Sequence, residues 1–230
     1  MNWANKITAE STQKIMKGQY DVTGVLAFKD GERICHATAI KIMAAFWHKV
    51  DRVFFGHAAD KGYGINRLCF LEFGTSQKCI HLHFVAHSPI EKNAFCAILN
   101  VLWNTFHEDT AELSKNWITP IYCKQAVAGY VTKEIWRFRD DQNVMNCDHI
   151  NTDDKAYSSF DITAQANRIA NHVTVAALDK ALSHIPVHMI LIRKRADRRR
   201  QEAEAKQRER DLRLAGVTTS FRQPTQLHHI

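Results

Sequence analysis

Two short apolar runs, RLCFLEF at 67–73 and CIHLHFVA at 79–86, are joined by GTSQK and constrain the fold more than any other stretch. Their length and their Gly/Thr/Ser connector predict a β-hairpin. A first strand is predicted over 20–28, where the aromatic and β-branched residues of YDVTGVLAF run up to the turn signal Asp30-Gly31. Between these segments, Ile40, Met43, Ala44 and Trp47 fall at helical spacing within 35–50, and a Gly-rich loop follows from Gly56 to Gly64. After the hairpin, Ser88-Pro89-Ile90-Glu91 reads as a helix start, with Ser88 capping, Pro89 at the first position and Glu91 at the capping-box site. That helix continues through Phe95, Ile98, Leu99, Leu102, Trp103 and Phe106. Thr119-Pro120 predicts another helix by the same logic, running to about Arg137.

Residues 140–160 are polar and read as loop, and a helix is predicted from about Thr163 to His184, before Pro186 breaks or kinks the chain. A charged, mostly exposed helix follows over 188–214, with Gly216 near its end, and there is no internal repeat. Strand, helix, hairpin, helix and later helices predict an α+β class: an antiparallel sheet with helices against one face, plus a helical C-terminal extension. The expected division is 1–160 for the core domain and 161–230 for the extension.

With 230 residues, 45% of them apolar, the chain can bury one good core and carry an appendage. No basic start leads into an apolar run and no stretch approaches a membrane span, so a cytoplasmic protein without a membrane partner is expected. The six cysteines form no C-x-x-C pair, which favours buried free thiols in a reducing compartment over zinc or disulfides. The net charge of +7 is concentrated: Arg193 to Arg213 holds ten Lys/Arg against five Asp/Glu, and the body is nearly balanced. That tail is either a solvated helix laced by i, i+4 ion pairs or an arm that contacts phosphates.

The candidate chemistry lies in the hairpin. Strand alternation puts His81 and His83 on one face and Leu82 on the other. With an even connector such as Gly74 to Gln77, Glu72 faces Cys79, and Glu72, Cys79, His81 and His83 project together with Glu72 diagonal to His81. A carboxylate with two imidazoles is a mixed oxygen and nitrogen donor set suited to Mn²⁺ or Mg²⁺ acting on phosphate oxygens. His87 shares the face further along and reads as a bystander. Tyr130 and Lys133, at i and i+3 of the next helix, pair a nucleophilic hydroxyl with an ammonium that offsets phosphate charge.

A Glu-bearing strand, eight intervening residues, His-Leu-His and a downstream Tyr-x-x-Lys resemble the HUH endonucleases, over roughly residues 20–138. The likeness is to the single-tyrosine replication initiators of plasmids, phages and single-stranded DNA viruses. It implies a ferredoxin-like sheet with the histidine strand near its centre, with Glu72, His81 and His83 as metal ligands, Tyr130 as nucleophile and Lys133 as the motif lysine. The implied reaction nicks and rejoins single-stranded DNA at a replication origin through a 5′-phosphotyrosine, leaving a 3′-hydroxyl that starts rolling-circle replication. A transposase or mobilisation nickase with the same site, and a non-catalytic DNA-binding protein, are the alternatives. The chain lacks the G-x-x-x-x-G-K-[ST] loop of helicase-bearing relatives, so a host helicase and polymerase are the expected partners and no small-molecule cofactor is expected. Some relatives use two tyrosines. Tyr122, about 80° from Tyr130 around a helix, is read as structural.

Overall fold

The hairpin forms: β2 (Arg67–Glu72) pairs antiparallel with β3 (His81–Ala86) in a computed structural model whose described residues are 3–73, 79–135 and 162–214. The predicted first strand is β1 (Val22–Ala27), and it lies along the other side of β3. A fourth strand, β4 (Trp117–Pro120), pairs with β1. The sheet order is β2-β3-β1-β4 with every neighbouring pair antiparallel, so the α+β class and the antiparallel sheet are as expected.

Two local expectations are corrected. Glu72 stands opposite His81, not Cys79, because the connector runs from Phe73 to Ile80 and is longer than the expected four residues. This two-residue shift sets Leu71 against Leu82 and Cys69 against Phe84 on the core face. It preserves parity, so Glu72 and the histidines stay on one face. Thr119 and Pro120 belong to β4 and do not start a helix. Proline is tolerated there because β4 is an edge strand.

The helices in chain order are α1 (Trp3–Lys17), α2 (His36–Phe55), α3 (Lys92–Asn104), α4 (Lys124–Val131), α5 (Ile162–His172) and α6 (Val175–Leu214). Helix α1, where no helix was expected, buries Ala4, Ser11 and Ile15 on one face, a set of mostly small or polar side chains. The predicted 35–50 helix extends to Phe55, and the expected loop after it begins with a 3-10 turn, Gly56–Lys61. Helix α3 is capped by Glu91, whose carboxylate accepts from the Ala94 N–H at 2.8 Å, so the cap sits three residues beyond Ser88.

Helices α2 and α3 cover the face formed by Leu26, Leu82 and Phe84. Trp47 meets Phe84 edge-on at 5.1 Å, Phe46 meets Trp103 at 5.0 Å, and Phe54 meets Phe95 at 5.4 Å. Burying each such ring contributes on the order of 1.5–3 kcal/mol, with about 0.5–1.5 kcal/mol more per well-oriented aromatic pair. Gly24 is required by this packing, since a Cβ there would lie 2.6 Å from the Phe84 ring. A buried ion pair ties β2 to α2: Arg67 donates to both carboxylate oxygens of Asp51 at 2.9 Å, and its guanidinium lies 4.7 Å from the Trp47 ring.

Helices were expected against one face only, but α4 lies over part of the opposite face, where Tyr130 meets His83. Lys124 of α4 donates to the Gly18 carbonyl at 2.7 Å, just past the end of α1. Of the break or kink expected at Pro186, the break falls elsewhere: α5 ends at His172, Thr174 Oγ1 accepts from the Ala177 N–H at 3.3 Å, and α6 runs through Pro186. Side-chain capping by Thr174 supplies a helix start that the sequence pattern does not announce.

Two compact units emerge, Met1–His188 and Met189–Ile230. In the second, Arg198–Glu202, Arg200–Glu204 and Glu209–Arg213 form i, i+4 pairs along α6, as a solvated helix would. Cys69 and Cys96 are buried, but Cys35, Cys79 and Cys123 are exposed, so burial of the thiols holds only in part. Cys147 and the expected 140–160 loop lie outside the described residues. No helix among the described residues is long and apolar enough to cross a membrane.

Candidate metal and nucleophile site

Register and parity build the site. Glu72 ends β2 directly across from His81, and His83 lies two residues along β3 on the same face. One ligand atom from each residue falls within 4.8 Å of the other two. Two ligands on opposite sides of one ion, each at up to about 2.6 Å, lie no more than about 5.2 Å apart, so the spacing fits a single cation. The group is sheltered: His83 is 1% and Glu72 6% exposed.

The donor states also fit. His81 Nδ1 lies 3.1 Å from the Cys79 carbonyl oxygen. A carbonyl only accepts, so Nδ1 donates to it, which fixes the ring with Nε2 turned towards Glu72, 3.5 Å from Oε2. His83 Nε2 touches the same oxygen without hydrogen-bond alignment, and both ring nitrogens of His83 are buried without a hydrogen-bond partner. Burying such atoms unsatisfied is costly, and a cation between imidazole and carboxylate would satisfy one of them. Burial pushes the His83 pKa below the ordinary histidine value, against the pull of Glu72, and so favours the neutral imidazole. Burial acts to raise the Glu72 pKa, but His81, His83 and Lys133 beside it outweigh that and hold it well below the usual carboxylate range. A neutral imidazole and an ionised carboxylate are the forms that bind metal.

Tyr130 and Lys133 reach this group from α4 and the turn after it. The Tyr130 ring meets the His83 ring edge-on at 5.1 Å and is 36% exposed, so it borders both the ligands and solvent. Helix α4 ends at Val131, so Lys133 is past the helix. Its ammonium nevertheless stands 3.9 Å from the Tyr130 ring centroid and 2.7 Å from Glu72 Oε1. All five sequence-predicted site residues therefore converge, with Lys133 on one carboxylate oxygen and the imidazoles on the other.

The remaining candidates lie outside this group. Cys79, expected to project with the ligands, precedes β3, has its Sγ beside Gly31 and is not part of the ligand group. His87 approaches the Gln19 carbonyl and Asp21, as a bystander would. Tyr122 precedes α4 and is exposed, so the helical angle expected between it and Tyr130 does not apply. Glu134 is a member of the site that sequence reasoning does not find. Its buried carboxylate accepts from the Phe73 N–H at 3.1 Å and fastens the Tyr130–Lys133 segment beside the end of β2. The only sequence signal is an acid adjoining Lys133, which does not distinguish a buried acceptor from a surface charge. No family model matches the chain, and comparison with curated proteins and with solved structures finds no match.

Proposed function

We propose that this chain is a single-tyrosine nuclease of the HUH type that nicks and rejoins single-stranded DNA to start rolling-circle replication. The observation that carries the reading is the meeting of Tyr130 and Lys133 with Glu72, His81 and His83 at one sheltered point. The order β1-α2-β2-β3-α3-β4 with strand order β2-β3-β1-β4 supports a ferredoxin-like core, with the histidine strand in an interior position.

In this reading, Glu72, His81 and His83 hold Mn²⁺ or Mg²⁺, which when bound supplies Lewis-acid polarisation of a phosphate oxygen. Tyr130 Oη attacks phosphorus: the Oη–P bond forms, the P–O3′ bond breaks, the phenol proton goes to solvent and the departing oxygen takes a proton from solvent to become a 3′-hydroxyl. The strand's 5′ end stays on the tyrosine, and reversal with another 3′-hydroxyl rejoins DNA. Lys133 offsets charge on the phosphate, and its contact with Glu72 keeps it poised beside the nucleophile. The buried His83 and Phe70 opposite it exclude water from one side of the group.

The test is cleavage of a randomised single-stranded oligonucleotide pool with Mn²⁺. The wild type should give discrete products that EDTA abolishes, and His81→Ala/His83→Ala should give none. Wild-type cleavage that is unaffected by EDTA or retained in the double variant refutes the proposal.

A further inference from the structure

At the C-terminal end of α2 lies a cleft of about 640 Å³, within the ~300–1,000 Å³ range of pockets that enclose ligand groups larger than a single ion. Six basic side chains line it: His48, Lys49 and Arg52 of α2, His57 of the 3-10 turn, and Arg168 and His172 of α5. Asp60 faces three of them: it pairs with Arg52 and stands 3.7 Å from His48 Nε2 and 3.6 Å from His57 Nδ1.

Arg168 donates to the Val53 carbonyl at 3.1 Å and the Phe54 carbonyl at 2.9 Å. That satisfies the end of α2, yet it leaves the guanidinium's charge without a carboxylate in these bonds. Gly56, at φ 58°, keeps this approach open: a Cβ there would lie 3.4 Å from the guanidinium carbon. The Lys49 ammonium stands 5.6 Å from the Phe106 ring. Three permanent cations and three imidazoles thus line one cleft, and Asp60 contacts Arg52, His48 and His57 among them. A helix C-terminus attracts cations, but Arg168 already serves its carbonyls and Arg52, His48 and His57 face Asp60, so Lys49 and His172 exceed what the backbone and this acid take up.

We propose that this cleft is a second phosphate-binding site, which holds the backbone of single-stranded nucleic acid. It belongs to the helical layer on the sheet face away from Glu72, His81 and His83. The proposal rests on the nuclease reading only for the choice of nucleic acid as ligand, and it concerns affinity rather than chemistry.

The test measures binding of a labelled thirty-nucleotide oligodeoxythymidylate in EDTA, so that cleavage does not enter. Lys49→Glu/His172→Gln is compared with Lys6→Glu on exposed α1, which makes the same change in net charge. The cleft variant should bind about tenfold more weakly, with a salt slope shallower by about 0.7 for each phosphate that is no longer neutralised. Lys6→Glu should stay within about twofold of wild type. Lys49→Gln/His172→Gln, which adds no acid, should weaken binding about threefold and guards against misfolding of the first variant. Equal binding by wild type and both cleft variants, or equal loss in Lys6→Glu, overturns the proposal. So does inorganic phosphate binding that depends on the cleft while oligonucleotide affinity does not, because that marks a small-anion site. Failure here leaves metal-dependent nicking of short oligonucleotides intact, and failure of nicking leaves this binding intact.

Discussion

Glu72→Gln separates metal binding from folding at the candidate site. The carboxylate is the only anionic member of the ligand group and touches His81, His83 and Lys133. The amide keeps the shape and one acceptor oxygen but loses the charge. In the metal-free protein, a charge-assisted hydrogen bond to Lys133 becomes a charge-to-neutral one. Lys133 is 34% exposed and can turn to water, so losing that contact costs about 1 kcal/mol or less, and the weakened contacts with the two imidazoles bring the total to about 1–3 kcal/mol. For a chain of this size that lowers Tm by about 2–12 °C in EDTA, a baseline against which the Mn²⁺ shift of each protein is read. Metal acts on top of that baseline: at about one hundred times Kd, a ligand specific to the native state stabilises by about 2.7 kcal/mol, or about 5–11 °C. Thermal unfolding with EDTA and with Mn²⁺ should therefore show a Mn²⁺ shift of that size in wild type and almost none in Glu72→Gln. A full shift in the variant would falsify the assignment of Glu72 as a ligand. The same would follow from a wild type indifferent to Mn²⁺ at every concentration.

Asp51→Ala should cost about 3–5 kcal/mol, because it leaves the Arg67 guanidinium buried without its carboxylate; chemical denaturation reads this directly, and a loss under about 1 kcal/mol would contradict the role given to the pair. Metal-free stability should fall on acidification from about pH 7 to about pH 5. The unfolded chain protonates histidine near about pH 6.5, whereas buried His83 resists, its pKa being lowered. Glu72, also lowered, stays ionised throughout this window and loses its stabilising contribution only at more acid pH. His83→Ala should flatten the slope by up to about 1.4 kcal/mol per pH unit, and an unchanged slope would show that His83 takes up its proton as readily folded as unfolded.

The legible parts of this chain are those where local pattern and tertiary demand agree. The hairpin, β1 and the stripes of α2 and α3 can be read because their apolar periods match the faces they bury. The ligand group tolerates a register shift of two residues because strand side chains alternate with period two, so Glu72 keeps its face even though its partner is His81 rather than Cys79. Signals with two physical meanings mislead. Thr119-Pro120 satisfies a helix start and equally an edge strand, and pairing with β1 decides for the strand. Ser88-Pro89 resembles a cap, but Ser88 Oγ bonds the Ile90 carbonyl in a turn and leaves capping to Glu91. Glu134 and the Asp51–Arg67 pair depend on contacts between residues distant in sequence, for which a single chain carries no periodic signature.

The central claim, that Tyr130 is the nucleophile of a DNA-nicking site, is tested most directly by locating a covalent adduct. Protein incubated with Mn²⁺ and a cleaved single-stranded substrate is denatured, digested and mapped by mass spectrometry. The account predicts a 5′-phosphonucleotide on Tyr130, absent from Tyr130→Phe, which removes only the hydroxyl, and retained in Tyr122→Phe. Cleavage without any protein-linked product, or an adduct on Tyr122 that persists in Tyr130→Phe, would contradict it.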